Sequence, residues 1–342
     1  MRRTRAAIAL GVAVLLAAAA AHAQQLPPAP PPIPLLHRGA NGGIEILDPE
    51  TEMRLGHKLC DPIALCVGKG QTYPTLTAAL AKAHEGDIIE VVAGVYRETA
   101  KIDKERVSVR GSIGRAHFDC AGLQPVDGAG CLVVAAKGVS FQDLEITGAE
   151  APQGHAACIA VGETYGVEMR DVICHGSQSG LIVNGGTILI EQSEFYDNAT
   201  GPDEHNVLFA GNCDATIRSS IFRDSKHGDE LTSRCARTEI DDSTFRSTSG
   251  ERDIDIPDGG DTMIYNTTLE KDEGSHGLDI VAFTREACLH PGSMMLKDVH
   301  IVNAREQAEI HNYDRCANQP IAFDGVVVEG TQIERMGYVL GQ

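Results

Sequence analysis

The stretch Ile217-Arg-Ser-Ser-Ile-Phe222 decides the fold, because its pattern returns as Ile240-Asp-Asp-Ser-Thr-Phe245. In each, an apolar residue is followed five positions later by another, with small polar residues between. The same spacing recurs at Phe141/Ile146, Met169/Cys174, Ile190/Phe195, Ile264/Leu269, Leu296/Ile301 and Phe323/Val328. Successive first members lie 28, 21, 27, 23, 24, 32 and 27 residues apart, a period that means a solenoid. Short alternating apolar runs bounded by Gly, Asn, Asp and Ser read as strands joined by turns. Several short strands per repeat without a helical segment fit the coils of a parallel β-helix, each rung hydrogen-bonded to the next about 4.8 Å away. The expected class is all-β, a single-stranded right-handed parallel β-helix.

Outward from the repeats, residues 1–23 combine Arg2, Arg3 and Arg5 with an Ala/Leu/Val run and end on Ala21-His22-Ala23, the pattern of a secretory signal peptide. Residues 24–40 are a Pro-rich linker suited to extended polyproline conformation, and residues 41–342 form the β-helix domain. Within that domain, Leu76, Ala79, Leu80 and Ala83 share one helical face with Gly86 just beyond, so a short helix is expected to cap the N-terminal end of the stack. No later stretch reaches the roughly 18 apolar residues of a membrane span. The expectation is an exported bacterial protein, periplasmic or extracellular, with no membrane span.

Ten cysteines in an exported chain are expected to pair as disulfides. Cys213 and Cys235 stand four and five residues before Ile217 and Ile240, hence nearly above one another, and Cys288 and Cys316 stand eight and seven before Leu296 and Phe323. Cys60/Cys66, Cys120/Cys131 and Cys158/Cys174 complete five local bridges. No CxxC pair supports a cysteine zinc site. The net charge of −19, which becomes −22 once the three leader arginines are removed, argues against a nucleic-acid partner. It also opposes long-range attraction of an anionic polysaccharide unless a basic strip or a cation reverses the field locally.

Fourteen residues after the first anchor, Leu231, Ile254, Leu278 and Ile310 form a further apolar column. Strand alternation then turns their neighbours outward: Glu230, Asp253, Gly277 and Glu309 on one side, Thr232, Asp255, Asp279 and His311 on the other. Stacking places Asp255 beside Asp279, with Glu230 and Asp253 on the adjoining line. Carboxylates that close either retain a proton or hold a cation such as Ca²⁺. The densest polar run, Lys226-His-Gly-Asp-Glu-Leu-Thr-Ser-Arg-Cys-Ala-Arg237, precedes this ladder. It offers a base, Lys226 or His227, and a carboxylate neutraliser, Arg234, the parts that β-elimination from a uronate requires. His205, Arg252, His276 and His311 are candidate substrate contacts along the same face. An equally direct reading makes these residues a solvated acidic face balanced by nearby arginines.

The segments Val67-Gly-Lys-Gly-Gln-Thr-Tyr-Pro-Thr-Leu-Thr-Ala-Ala-Leu80 and Glu85-Gly-Asp-Ile-Ile-Glu-Val-Val-Ala-Gly-Val-Tyr96 resemble the opening of pectinesterase-like and pectate-lyase-like β-helix proteins. Lys226 to Arg234 and Asp253-Ile-Asp-Ile-Pro-Asp-Gly-Gly260 resemble exported bacterial right-handed β-helix repeat proteins of the pectin-lyase-like superfamily. The resemblance implies action on pectate, alginate or related polyuronates. The pectinesterase Asp, Arg and Gln motifs are missing. Ser275-His276-Gly277 only faintly resembles the polygalacturonase His-Gly element, its Arg-x-Lys companion is missing, and there is no Trp for sugar stacking. Three functions follow: a lyase on a uronate-containing glycan, a glycoside hydrolase using Asp255 and Asp279, and a non-catalytic scaffold binding glycan or protein.

Overall fold

The computed structural model describes residues 36–38, 44–46, 58–163, 165–201, 203–316, 319–336 and 339–340. The expected signal peptide and most of the expected Pro-rich linker lie outside these. Leu36–Arg38, at the end of that segment, pairs antiparallel with Ile44–Ile46.

From Leu65 onward the chain winds through three parallel sheets, A, B and C, in that order on every turn. The five-residue echo is the A-to-B corner. Ile190, Ile217, Ile240, Ile264, Leu296 and Phe323 stack in register on sheet A. Phe195, Phe222, Phe245, Leu269, Ile301 and Val328 stack on sheet B. Phe141, Met169, Ile146 and Cys174 continue both columns toward the N-terminus. All eight expected pairs therefore hold their register.

The constant spacing has a backbone cause. Two residues after each sheet A anchor the chain adopts a left-handed conformation, at Asp143, Asp171, Gln192, Ser219, Asp242, Asn266 and Asp298, with φ between 47° and 53°, and at Gly325 with φ of 64°. Short polar side chains tolerate that region, which is why these corners are Asp- and Asn-rich. At four of the corners the next residue is Ser193, Ser220, Ser243 or Thr267, whose hydroxyl donates to the carbonyl two residues back. Ser220 Oγ accepts from Ser193 N at 3.1 Å and donates to Arg218 O at 2.7 Å, and Ser243 repeats the arrangement one rung on.

Sheet C carries its own inward column: Ala100, Leu132, Ile159, Leu181, Val207, Leu231, Ile254, Val281 and Ile310. Val281, not Leu278, occupies this column, and Leu278 is 41% exposed. The step from Ile264 to Leu296 is the longest of the echo, 32 residues, and part of its surplus lies in the turn before the strand Asp279–Phe283. Equal-offset counting from Ile264 therefore stops short. The three columns merge into one continuous core.

The expected cap is helix α1 (Leu76–Leu80), whose N-cap Thr75 accepts from Ala78 N. Leu76, Ala79, Leu80 and Ala83 are all buried. Four disulfides form as expected: Cys60–Cys66, Cys120–Cys131, Cys213–Cys235 and Cys288–Cys316. Cys158 and Cys174 are instead free buried thiols, in neighbouring sheets of the core. Among the described residues no helix is long and apolar enough to cross a membrane.

Candidate functional site

The outward side of sheet C changes character along the stack. Its central row runs Val133, Ala160, Ile182 and Leu208, then Thr232, Asp255, Ala282 and His311. The polar half gathers a network in which every guanidinium serves at least two carboxylates. Arg252 reaches Asp229 at 3.1 Å, Glu251 at 2.8 Å and Asp279 at 3.3 Å. Arg285 reaches Asp255 at 2.7 Å and Glu286 at 2.8 Å, and Arg234 reaches Asp258 at 2.9 Å and Glu286 at 2.8 Å. Thr232 Oγ1 lies 2.9 Å from Asp229 Oδ2 and 3.0 Å from His205 Nδ1, which brings the imidazole into the network.

Asp255 is fully buried, and while its Oδ2 accepts from Arg285, its Oδ1 has no hydrogen-bond partner. Burial, reinforced by the neighbouring Asp229 charge, pushes its pKa up to about 6 despite Arg285 and Arg252. Burial likewise raises Asp229, although Arg252 and Thr232 oppose the shift. Burial lowers the pKa of His205. Two neighbouring carboxyls whose protonated forms are favoured have the makings of a shared-proton pair.

Of the residues singled out in the sequence, His205, Arg252, Asp255, Asp279 and His311 meet on this face, with Arg234 joined through Glu286. Lys226 and His227 do not join them. Both are exposed on the turn before the strand Leu231–Ser233, whereas Arg234 follows that strand and is committed to Asp258 and Glu286. His276 is also exposed on a turn, its ring 6.3 Å from that of His227.

Glu230 and Asp253 face the buried B-to-C corner rather than the outside. Glu230 accepts from Ser225 N at 2.9 Å and from Asn206 Nδ2 at 2.7 Å, completing an Asn198–Asn206–Glu230 chain of side-chain amides and carboxyl. At a corner the turn N–H groups need acceptors, and that need overrides strand alternation. Asp253, equally buried, has Lys271 as its principal opposing charge. Nor do Asp255 and Asp279 stack as a pair, since Asp255 aligns with Ala282 and Asp279 with Glu309. Sequence reasoning gave Asp229, Arg285, Glu286 and Tyr313 no role. Asp229 lay inside the polar run it quoted, and Arg285 lies in the turn that the longest repeat step signals.

The calcium set expected from the sequence is thus divided between corner and face. A different acidic cluster stands on the face: Asp279, Glu309 and His311 bring three potential ligand atoms within 4.8 Å of one another.

No protein-family model and no curated protein matches the chain. Solved structures do. The chain is similar to pectate lyase Pel9A at 14% identity over 82% of this chain and 78% of that one, with a TM-score of 0.59. It is similar to a tailspike protein of an Escherichia coli bacteriophage at 12% identity and a TM-score of 0.50, covering 78% of this chain and 38% of that longer one. A pectin methylesterase from Aspergillus niger aligns at 14% identity over 83% of this chain and 91% of its own length, with a TM-score of 0.48. At such identities the likeness is one of fold alone, and the fold is a right-handed parallel β-helix.

Proposed function

We propose that this β-helix is an exported carbohydrate-active protein that binds a glycan along the outer face of sheet C and hydrolyses it through the Asp229 and Asp255 carboxyls. The observation that carries the reading is Asp255 Oδ1, a buried carboxyl oxygen with no protein partner. Burial raises the pKa of this carboxyl to about 6, so it keeps a proton in mildly acidic solution, as a glycosidic leaving group requires of its acid. Asp229 takes the part of base or nucleophile, because Arg252 and Thr232 favour its ionised form against the burial that raises its pKa. Arg285 closes over Asp255, so substrate binding includes displacement of that guanidinium by a sugar hydroxyl or carboxyl group.

Two features disfavour the β-elimination expected from the sequence. Lys226 and His227 stand apart from Arg234, and each arginine of the face is already neutralised by two or more carboxylates. A lyase would need a cation to bind a uronate here, and the Asp279, Glu309 and His311 cluster keeps that second reading open. Mass spectrometry of products from a panel of neutral and acidic polysaccharides separates the readings. Fragments carrying added water, absent with Asp255→Asn, are expected. Unsaturated fragments would replace the hydrolase with a lyase, and intact polymer throughout would leave a binding scaffold.

A further inference from the structure

We infer that Asp279, Glu309 and His311 form a binding site for a first-row transition-metal dication of the zinc type, and not for calcium. A local irregularity builds the cluster. The ladder between the strands Asp279–Phe283 and Glu309–Asn312 pairs Asp279 with Glu309 and then Val281 with Ile310, leaving Ile280 as an extra residue. Such a bulge re-aims the side chain that precedes it. Here it sets Asp279 beside Glu309, while His311, two residues further along the same strand, projects on the same side. Ala282 is the register partner of His311, and its small side chain leaves room for the imidazole.

His311 Nδ1 lies 3.2 Å from Glu309 Oε2 and 3.6 Å from Asp279 Oδ1 without a hydrogen bond to either. The three groups converge, with both carboxylates within ion-pair reach of the imidazole.

Tyr313 fixes two of the three. Its ring stacks on the His311 imidazole, with centroids 3.7 Å apart and planes at 15°, and its hydroxyl donates to Asp279 Oδ2 at 2.9 Å. That leaves Asp279 Oδ1 directed toward the cluster. Metal sites depend on outer contacts of this kind, which set ring and carboxylate orientation before the ion arrives. Arg252, 3.3 Å from Asp279, is the nearest opposing charge, and it shares that charge with Asp229 and Glu251.

Ligand chemistry selects the ion. Calcium takes six to eight oxygen donors, whereas imidazole with carboxylates suits zinc and its neighbours. Three protein ligands on an open sheet face leave positions for water or a sugar oxygen. The inference does not rest on the acid pair proposed above.

Calorimetric titration of the chelator-treated, tag-free mature protein with zinc, manganese and calcium chlorides tests it, with the absorption of added cobalt(II) as a spectroscopic readout. The expected result is one zinc per chain, abolished by His311→Ala, weakened about tenfold by Tyr313→Phe and unchanged by His276→Ala. Circular dichroism confirms that each variant is folded. Calcium binding tighter than zinc binding, zinc binding indifferent to His311→Ala, or no stoichiometric zinc binding would each overturn the inference.

Discussion

Arg285 holds Asp255 by one oxygen only, at 2.7 Å, and leaves the other buried oxygen without a partner. On the proposed hydrolytic reading, the unpartnered oxygen is the one that serves the glycan. Asp255→Asn is expected to lower glycan turnover by at least about a hundredfold. Lys226→Ala and His227→Ala should leave turnover within a few-fold of the parent. A loss with Lys226→Ala as deep as that with Asp255→Asn would return the chemistry to the exposed turn.

The same group predicts a pH dependence of stability. Its folded pKa, about 6, lies above the ordinary carboxylate value, so the native state binds its proton more tightly than the unfolded chain does. This contribution is fully present below about pH 4 and is lost as pH rises through 6, with a magnitude of about 3 kcal/mol at most. Denaturant midpoints measured from pH 4 to 8 should fall across this window, and Asp255→Asn should flatten the fall. An unchanged profile in the variant would refute the assignment.

Glu230 behaves differently because it is satisfied. Burial raises its pKa to about 8, and its oxygens accept from Ser225 and Asn206. The sign is the same as for Asp255, but the window extends further: stability present below about pH 4 is lost as pH rises toward 8. Glu230→Gln preserves the acceptor for one donor and removes the ionisation, so it should cost little at neutral pH and protect the protein at pH 8 and above. Glu230→Ala leaves the Ser225 N–H and the Asn206 amide unpaired in the corner and should cost about 2–4 kcal/mol. Melting temperatures of the two variants at pH 6 and pH 9 provide the check.

The sequence made two of the three sheets legible, and the reason is local. From Phe141 onward the A-to-B corner has a fixed length because one left-handed residue makes it, so the anchors at Ile217 and Phe222 can be counted without knowledge of the rest of the rung. Sheet C follows turns of variable length, and one longer turn moved the inward position from Leu278 to Val281. The register of Asp279 moved with it. Glu230 and Asp253 show a second limit. Alternation predicts facing only inside a strand, and both stand just before one; at Glu230 a turn N–H draws the carboxyl inward. Arg285 and Tyr313 reach the face from beyond the strand ends, where no periodicity applies.

The cysteines give a chemical prediction. Four pairs are bonded, and Cys158 and Cys174 remain thiols with no exposed surface. Alkylation without reductant should label nothing in the folded protein and two cysteines after denaturation, at those positions by peptide mapping. Labelling at any of the other eight positions, or none after denaturation, would contradict the pairing.

Phe222 is the residue whose loss should be felt most in the core. Its ring is fully buried between Phe195 and Phe245, with centroids 5.3 Å and 4.7 Å away and planes within 5° of parallel. In a solenoid each rung packs only on its neighbours, so distant side chains cannot move in to fill a gap. The backbone ladder also holds the rungs at a fixed separation, which prevents the stack from collapsing onto an emptied position. Both constraints place Phe222→Ala toward the upper part of the usual range for such truncations, about 3–5 kcal/mol. Phe222→Leu restores much of the volume and should cost about 1–2 kcal/mol. Chemical denaturation of both variants, followed by circular dichroism, would measure the difference. A cost below about 1 kcal/mol for the alanine variant would mean that the rungs relax around the cavity, contrary to the rigid stacking argued here.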